Sequence, residues 1–258
     1  TDSRFNKSVL SCNRMSKNKK KEAREKQDHA GRERNTYLKK ITYKDVKNSE
    51  EVNAYIKKGN ETLGRIGLTD HSKHHAIKVA QTASWILSEL GFDEHTIELA
   101  KIAGYMHDIG NCVNRTDHPH SGAVMAFQIL RDMEMPYDDI AVVINAIGQH
   151  DESTGTPVDA VSAALILGDK TDVRRNRVRK VNQASFDKHD RVNYAAIKSE
   201  LDIDKEKKTI KLSIALDEEI CSIMDYFEIF TKRMMMSRRA AEMLGLKFKF
   251  SINGNKVC

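Results

Sequence analysis

GYMHDIGNCVNRTDHPHSGA, residues 104–123, holds three histidines and two aspartates in one short stretch. It follows ELAKIAGYM, whose apolar residues recur at helical spacing, and it contains Pro119, which suits a helix start. Polar groups leaving an apolar helix are costly unless they are paired or bind an ion. Imidazole and carboxylate together suit Fe, Mn, Zn or Ni. His107-Asp108 is therefore the centre of a candidate metal site. Alone, the dipeptide carries no weight, so the neighbours decide.

Upstream, His71 and His75 are spaced i, i+4, which places both on one face of an expected helix. Downstream, His118 precedes a helix, His150 ends the next, and Asp169 lies near the end of another. The expected helices cover residues 52–67, 71–90, 94–110, 120–133, 137–150 and 158–173. Thr69 or Asp70 is the expected N-cap of the second, and Gly91 closes it. Ligand-type residues gathered at one end of an apolar bundle are what a bundle-core metal site requires.

After residue 173 the pattern changes. RRNRVRK (174–180) is a basic run. KSELDID (198–204) and TIKLSIALD (209–217) alternate with period two, and DKEKK makes a hairpin turn between them. A long helix is expected over 218–244, capped by Gly245, then a final strand in KFKFSIN (247–253). The fold class is mainly α: a helical bundle with a small C-terminal α+β element. The expected organisation is a basic, disordered tail over 1–45, a metal-binding helical domain over 46–185, and the C-terminal element over 186–258.

His75 with Val79-Ala80, then His107-Asp108, then Asp169, resembles the HD superfamily of metal-dependent phosphohydrolases. HDIGN (107–111) resembles its HDIG subgroup. HPHSG (118–122) and QHDESTGTP (149–157) resemble, in degenerate form, elements of the HD-GYP branch. The resemblance covers about 70–173. It implies that His75, His107, Asp108 and Asp169 form the basic ligand set, with Asp108 bridging two metals. It implies His118 and His150 as ligands of the second metal, and His71 as a ligand beyond them. Two divalent transition metals (Fe, Mn, Ni, Co or Zn, with Mg as another choice) are the implied cofactors. Gln149 and Asn111 stand where the HD-GYP branch has a His and a Lys, which argues against that branch's cyclic-dinucleotide activity.

The chain has 258 residues, net charge +6 and 40% hydrophobic residues. Residues 1–40 carry +8, leaving −2 for the rest, so the basic excess sits in the tail. That tail is expected to solubilise, with weak nucleic-acid contact as its other use. No long apolar run predicts a membrane span and no signal-peptide pattern is seen. Four scattered cysteines read as free thiols in a reducing compartment, so a cytoplasmic location is expected.

The expected activity is hydrolysis of a phosphate ester, in a nucleotide or another small phosphorylated metabolite. Asp108 is central, and Lys170 and Arg115 are the expected phosphate-contacting cations. Asp117 and Asp172 are candidates to orient the histidines. Two other functions compete: a mixed-valent diiron oxygenase, and a nucleotide-sensing scaffold without turnover. The Met-rich helix FTKRMMMSRRAAEML (230–244) is expected to pack on its own hairpin, with a homodimer or partner surface as the competing use.

Overall fold

The computed structural model describes residues 40–180 and 182–257. Most of the basic tail, residues 1–39, lies outside them. The end of that stretch enters the fold. Thr42 and Asp45 cap each other at the start of α1 (Tyr43–Asn48), and Val46 is buried.

The helical part continues with α2 (Glu50–Arg65), α3 (Lys73–Glu89), α4 (Glu94–Met106), α5 (His118–Asp132), α6 (Tyr137–Gly148) and α7 (Ala160–Lys170). A short 3-10 turn, Ile109–Cys112, joins α4 to the loop before α5. Helix α7 is the centre of the packing: every residue from Val161 to Lys170 is buried. A helix buried all round is normally apolar throughout. Asp169 and Lys170 break that rule, so each needs a partner. An unpartnered buried charge costs about 3–5 kcal/mol, more than one buried Leu or Ile returns.

Small residues set the helix crossings. A Cβ on Gly104 of α4 would lie 2.8 Å from the Ala80 Cα of α3, and one on Gly168 of α7 would lie 2.9 Å from the Val79 carbonyl oxygen. Both neighbours of α3 therefore approach its backbone closely, which draws the ends of α3, α4 and α7 to one place.

The C-terminal element adds α8 (Lys188–Ala195), β1 (Ala196–Asp204), β2 (Thr209–Leu216), α9 (Ile223–Met243), β3 (Lys247–Ile252) and β4 (Asn255–Lys256). The sheet order is β1-β2-β3-β4. β1 and β2 form the expected antiparallel hairpin, and β3 pairs with β2 in parallel through the α9 crossover. Ile210, Leu212, Ile214 and Leu216 of β2 are buried with Phe248, Phe250 and Ile252 of β3. Tyr226 and Phe230 of α9 close over them, Tyr226 stacking on Phe250 at 5.8 Å. That cluster also takes in Ala163, Ile166 and Leu167 of α7, so the sheet and the bundle share α7 as a wall.

Several expected boundaries move. The N-cap of α3 is Ser72, and Asp70 instead holds the Ser72 hydroxyl at 2.6 Å. His71 thus precedes the helix and does not share a helical face with His75. Helix α4 stops at Met106, so His107-Asp108 lies at a break. Helix α5 starts at His118, one residue before Pro119. α6 ends at Gly148, leaving His150 outside it. The long helix starts at Ile223, because Ser222 and Asp225 form a capping box there. RRNRVRK does not continue α7. Arg177 is buried, donating to the carbonyls of Asp70 (2.9 Å) and Asp172 (2.8 Å). Arg179 donates to the Leu68 carbonyl at 3.0 Å. Arg175 donates to the Tyr194 carbonyl at 2.6 Å. The run clasps the loop before α3 to the C-terminal element.

Candidate metal centre

Five helix ends deliver the site. His75 leaves the first turn of α3, His107 caps α4, His118 opens α5, and His150 follows α6, with Asp169 near the end of α7. The turn at Asp108 is shaped by Asn111. Its backbone N–H and its side-chain amide both donate to the Asp108 carbonyl at 3.0 Å, and the amide also donates to Asp108 Oδ1 at 2.7 Å. This fixes the direction of the carboxylate. Nothing in the sequence beyond the local turn spacing signals that part for Asn111.

The two oxygens of Asp108 face different groups. Oδ2 lies 3.2 Å from His107 Nε2 and 3.7 Å from His75 Nε2. Asp169 Oδ1 completes that group, 3.3 Å from His75 Nε2 and 3.8 Å from His107 Nε2. Oδ1 of Asp108 lies 3.6 Å from His118 Nε2 and 3.9 Å from His150 Nε2. These are separations suited to donors around a common centre.

The five inward-facing histidines present the same edge. His71, His107, His118 and His150 hold backbone carbonyls at Nδ1, those of Thr69 (2.8 Å), Gly104 (2.8 Å), Arg115 (3.0 Å) and Ile147 (2.6 Å). A carbonyl only accepts, so each Nδ1 carries a proton and each ring turns its Nε2 toward the site. Burial lowers the pKa of His107, but Asp108 and Asp169 outweigh it and raise the value, so a bound metal would displace a proton there. His75 Nδ1 meets the buried Asp172 at 2.8 Å, which has the same effect.

The donor set fits a cation. His75 Nε2, His107 Nε2 and Asp108 Oδ2 are buried and have no hydrogen-bond partner. Buried polar atoms without partners are rare and costly. His118 Nε2 and His150 Nε2 face each other at 3.2 Å, and two lone pairs at that distance repel unless a positive centre lies against them. A proton is disfavoured there. Burial lowers His118, and burial with the His107 and Lys170 charges brings His150 down to about 3. Burial opposes ionisation of Asp108 and Asp169, but His107 beside the first and Lys170 beside the second hold both well below the usual carboxylate range. Neutral imidazole and ionised carboxylate are the metal-binding forms. His75, His107 and Asp169 offer atoms all within 4.8 Å of one another, and so do His107, Asp108 and His150.

The remaining candidates divide. His71 belongs to neither group, although its ring lies 5.4 Å from that of His75. Arg115 Nη1 reaches within 3.4 Å of both His118 Nε2 and Asn111 Oδ1. Lys170 is not free: its Nζ lies 2.6 Å from Glu152 and 2.7 Å from Asp169. Asp117 is exposed and pairs with exposed His120, so it orients none of the inward-facing rings. The sequence context of Glu152 gives no sign of its role. Its partners Lys170 and Arg233 (3.5 Å) lie far along the chain.

A family model, the HD domain, matches residues 73–229. The chain belongs to the HD domain family. The match covers the whole His75 to Asp169 set and runs into α9. An uncharacterised protein of Methanocaldococcus jannaschii is 27% identical over 206 residues, covering 70% of this chain and 78% of that one. Ribonuclease Y of Opitutus terrae is 31% identical over 112 residues, and ribonuclease Y 1 of Pediococcus pentosaceus 38% over 94. The first match covers 43% of this chain and 20% of that enzyme; the second covers 36% and 16%. The chain therefore spans a fifth or less of the length of these two ribonucleases. A solved structure of a predicted HD superfamily hydrolase from an uncultured Thermotogales bacterium aligns with TM-score 0.38 and 26% identity, covering 48% of this chain and 67% of that one. Among the described residues, no helix of this HD domain is long and apolar enough to cross a membrane.

Glu152 gives a pH prediction. Burial raises its pKa, but Lys170 and Arg233 win and bring it down to about 2, below the ordinary 4.5. A depressed carboxylate stabilises above its unfolded pKa and loses that contribution as pH falls through the folded one. At pH 7, Glu152→Gln should cost on the order of 3 kcal/mol at most. Urea unfolding at stepped pH should show the gap narrowing between about 4.5 and about 2. A gap that widens on acidification would contradict the assignment.

Proposed function

We propose that this chain is a metal-dependent hydrolase of phosphate esters acting on a small phosphorylated substrate. The observation that carries the reading is Asp108: its Oδ2 is buried without a hydrogen-bond partner between His107 and His75, and its Oδ1 faces His118 and His150. His75, His107, Asp108 and Asp169 would hold one metal; Asp108, His118 and His150 would hold a second, with His71 beside them. Divalent metals bound there supply a hydroxide near neutral pH and neutralise charge on the phosphoryl oxygens.

The chain's own residues do the rest. The Nδ1 anchors lock five imidazoles in one tautomer, so no reorganisation is needed on binding. Arg115 faces the second group and presents its guanidinium to a phosphoryl oxygen. Lys170 is a positioning residue that holds Asp169 and Glu152. Asp172 does the same for His75. Asp172→Asn should weaken metal binding about 10- to 100-fold, read by equilibrium dialysis with metal analysis.

The decisive experiment loads one batch with Mn, Fe, Ni, Co or Mg. Each sample is assayed on p-nitrophenyl phosphate, bis(p-nitrophenyl) phosphate, nucleotides and a short RNA. Hydrolysis that disappears in His107→Ala and Asp108→Ala supports the reading. Activity that survives both changes rejects it. The likeness to ribonuclease Y favours a phosphodiester as the second reading, and turnover of RNA in preference to the monoester would select it.

A further inference from the structure

Beside the candidate metal centre lies a cavity of about 200 Å³ with walls from two parts of the chain. His71, Arg115 and Glu152 come from the bundle, and His189, Phe230 and Arg233 from α8 and α9. Arg233 is 81 residues from Glu152 and belongs to an element that carries no candidate metal ligand. Its side chain is only 20% exposed.

The hydrogen bonding of the two arginines is incomplete. A guanidinium has five donors in a planar fork. Among the described residues Arg233 forms its ion pair with Glu152, 3.5 Å from Nε, and its guanidinium carbon lies over the Phe230 ring, 4.8 Å from the centroid. Glu152 is already held by Lys170 at 2.6 Å. Arg115 makes only two long contacts through Nη1, both at 3.4 Å. Glu152 and the Phe230 ring hold Arg233, Asn111 and His118 hold Arg115, and among the described residues their other donors make no protein hydrogen bond. Guanidinium donors that line one cavity, from the bundle and from α9, are suited to a tetrahedral oxyanion.

We propose that Arg115 and Arg233 form a two-sided clamp for a dianionic phosphate group, so that α9 supplies part of the substrate site and selects small phosphate monoesters. This rests on the phosphohydrolase reading. Two guanidiniums next to a cationic centre favour a dianion over the single charge of a diester. A polynucleotide needs an open groove that tracks its backbone. Here α9 stands across the cavity from the bundle.

The test is calorimetric titration of metal-loaded protein with inorganic phosphate, alongside kinetics on p-nitrophenyl phosphate and its bis-ester. Arg233→Ala should weaken phosphate binding roughly 10- to 100-fold and raise KM for the monoester, with metal content unchanged. Arg233→Lys should recover part of the affinity; should Arg233→Ala fail to fold, Lys and Gln at this position carry the comparison. Glu152→Gln separates clamping from positioning. If Arg233 acts only by holding Glu152, this change reproduces the loss; if it clamps, phosphate binds as well or better. Overturning results are parent-like phosphate affinity in the Arg233 variants, no phosphate binding by the parent at millimolar concentration, or loss in Glu152→Gln equal to that in Arg233→Ala. A parent that binds phosphate through Arg233 yet cleaves no ester keeps the clamp and rejects the hydrolase.

Discussion

Asp108→Ala is expected to remove metal binding and activity together while leaving the fold intact. The side chain sits at a helix break, only 11% exposed, and its two oxygens face separate donor groups. Its loss therefore strips one oxygen from each group at once, whereas His118→Ala strips only the second. Activity should fall to background, at least about a thousandfold, corresponding to about 4 kcal/mol of lost barrier reduction. The readout that separates this from misfolding is thermal. A metal at a hundred times its Kd stabilises the native state by about 2.7 kcal/mol. For a chain of this size each kcal/mol moves Tm by about 2–4 °C. Parent protein should thus lose roughly 5–10 °C when metal is chelated. The variant should melt at the same temperature with and without metal, near the chelated parent. A variant whose Tm still rises with metal would show that Asp108 is not the shared donor.

His107-Asp108 and Asp169 stand out in the sequence because each interrupts an apolar pattern, whereas His75, His118 and His150 are singled out by spacing and resemblance. His107-Asp108 follows ELAKIAGYM, and Asp169 ends SAALILG, where a polar residue stands out. The alternating residues of β2 were readable for the same reason: Ile210, Leu212, Ile214 and Leu216 all face the core. The structure gathers His75, His107, Asp108, Asp169, His118 and His150, whose positions in sequence span nearly a hundred residues.

What the sequence concealed depends on partners far along the chain. Arg177 reads as one charge in a solvated run, yet it is buried against backbone carbonyls more than a hundred residues away in one case. No local pattern encodes that. Glu152 and Arg233 are ordinary surface residue types until α9 is placed beside the bundle. Helix α8 has no apolar period to announce it, because KHDRVNYA is mostly polar; it rests on the Asp187 and Asp190 capping box and on the burial of Val192 and Ala195. Spacing alone places His71 on the helix with Thr69 or Asp70 as its cap, but Asp70 accepts from the Ser72 hydroxyl and Ser72 caps the helix, accepting from the His74 N–H.

The glycine of the HDIG motif should prove more sensitive to substitution than its chemistry suggests. Gly110 lies in the 3-10 turn Ile109–Cys112, pressed against the first turn of α5. A Cβ there would sit 2.1 Å from the His118 carbonyl oxygen and 2.5 Å from the Gly122 nitrogen. Both are backbone atoms, so no rotamer change relieves the clash. The turn or α5 would have to move, and that movement would separate His118 from Asp108. Overpacking a core costs about 1–3 kcal/mol when side chains can yield, and more when only backbone can. Gly110→Ala should therefore lower stability by about 3 kcal/mol or more, with Tm falling roughly 6–12 °C, and should abolish activity. Gly148→Ala is the matched control. It ends α6, and the nearest atom to its added Cβ is the Ala123 Cβ at 3.9 Å, an ordinary contact. There, exchanging glycine for alanine in a helix should be neutral or stabilising by up to about 1 kcal/mol. Opposite signs for two Gly→Ala changes on the path from α4 to His150 would tie the HDIG glycine to the close approach of two backbones. Equal, mild effects would mean that the turn has room to relax, and that Gly110 does not set the distance between Asp108 and His118.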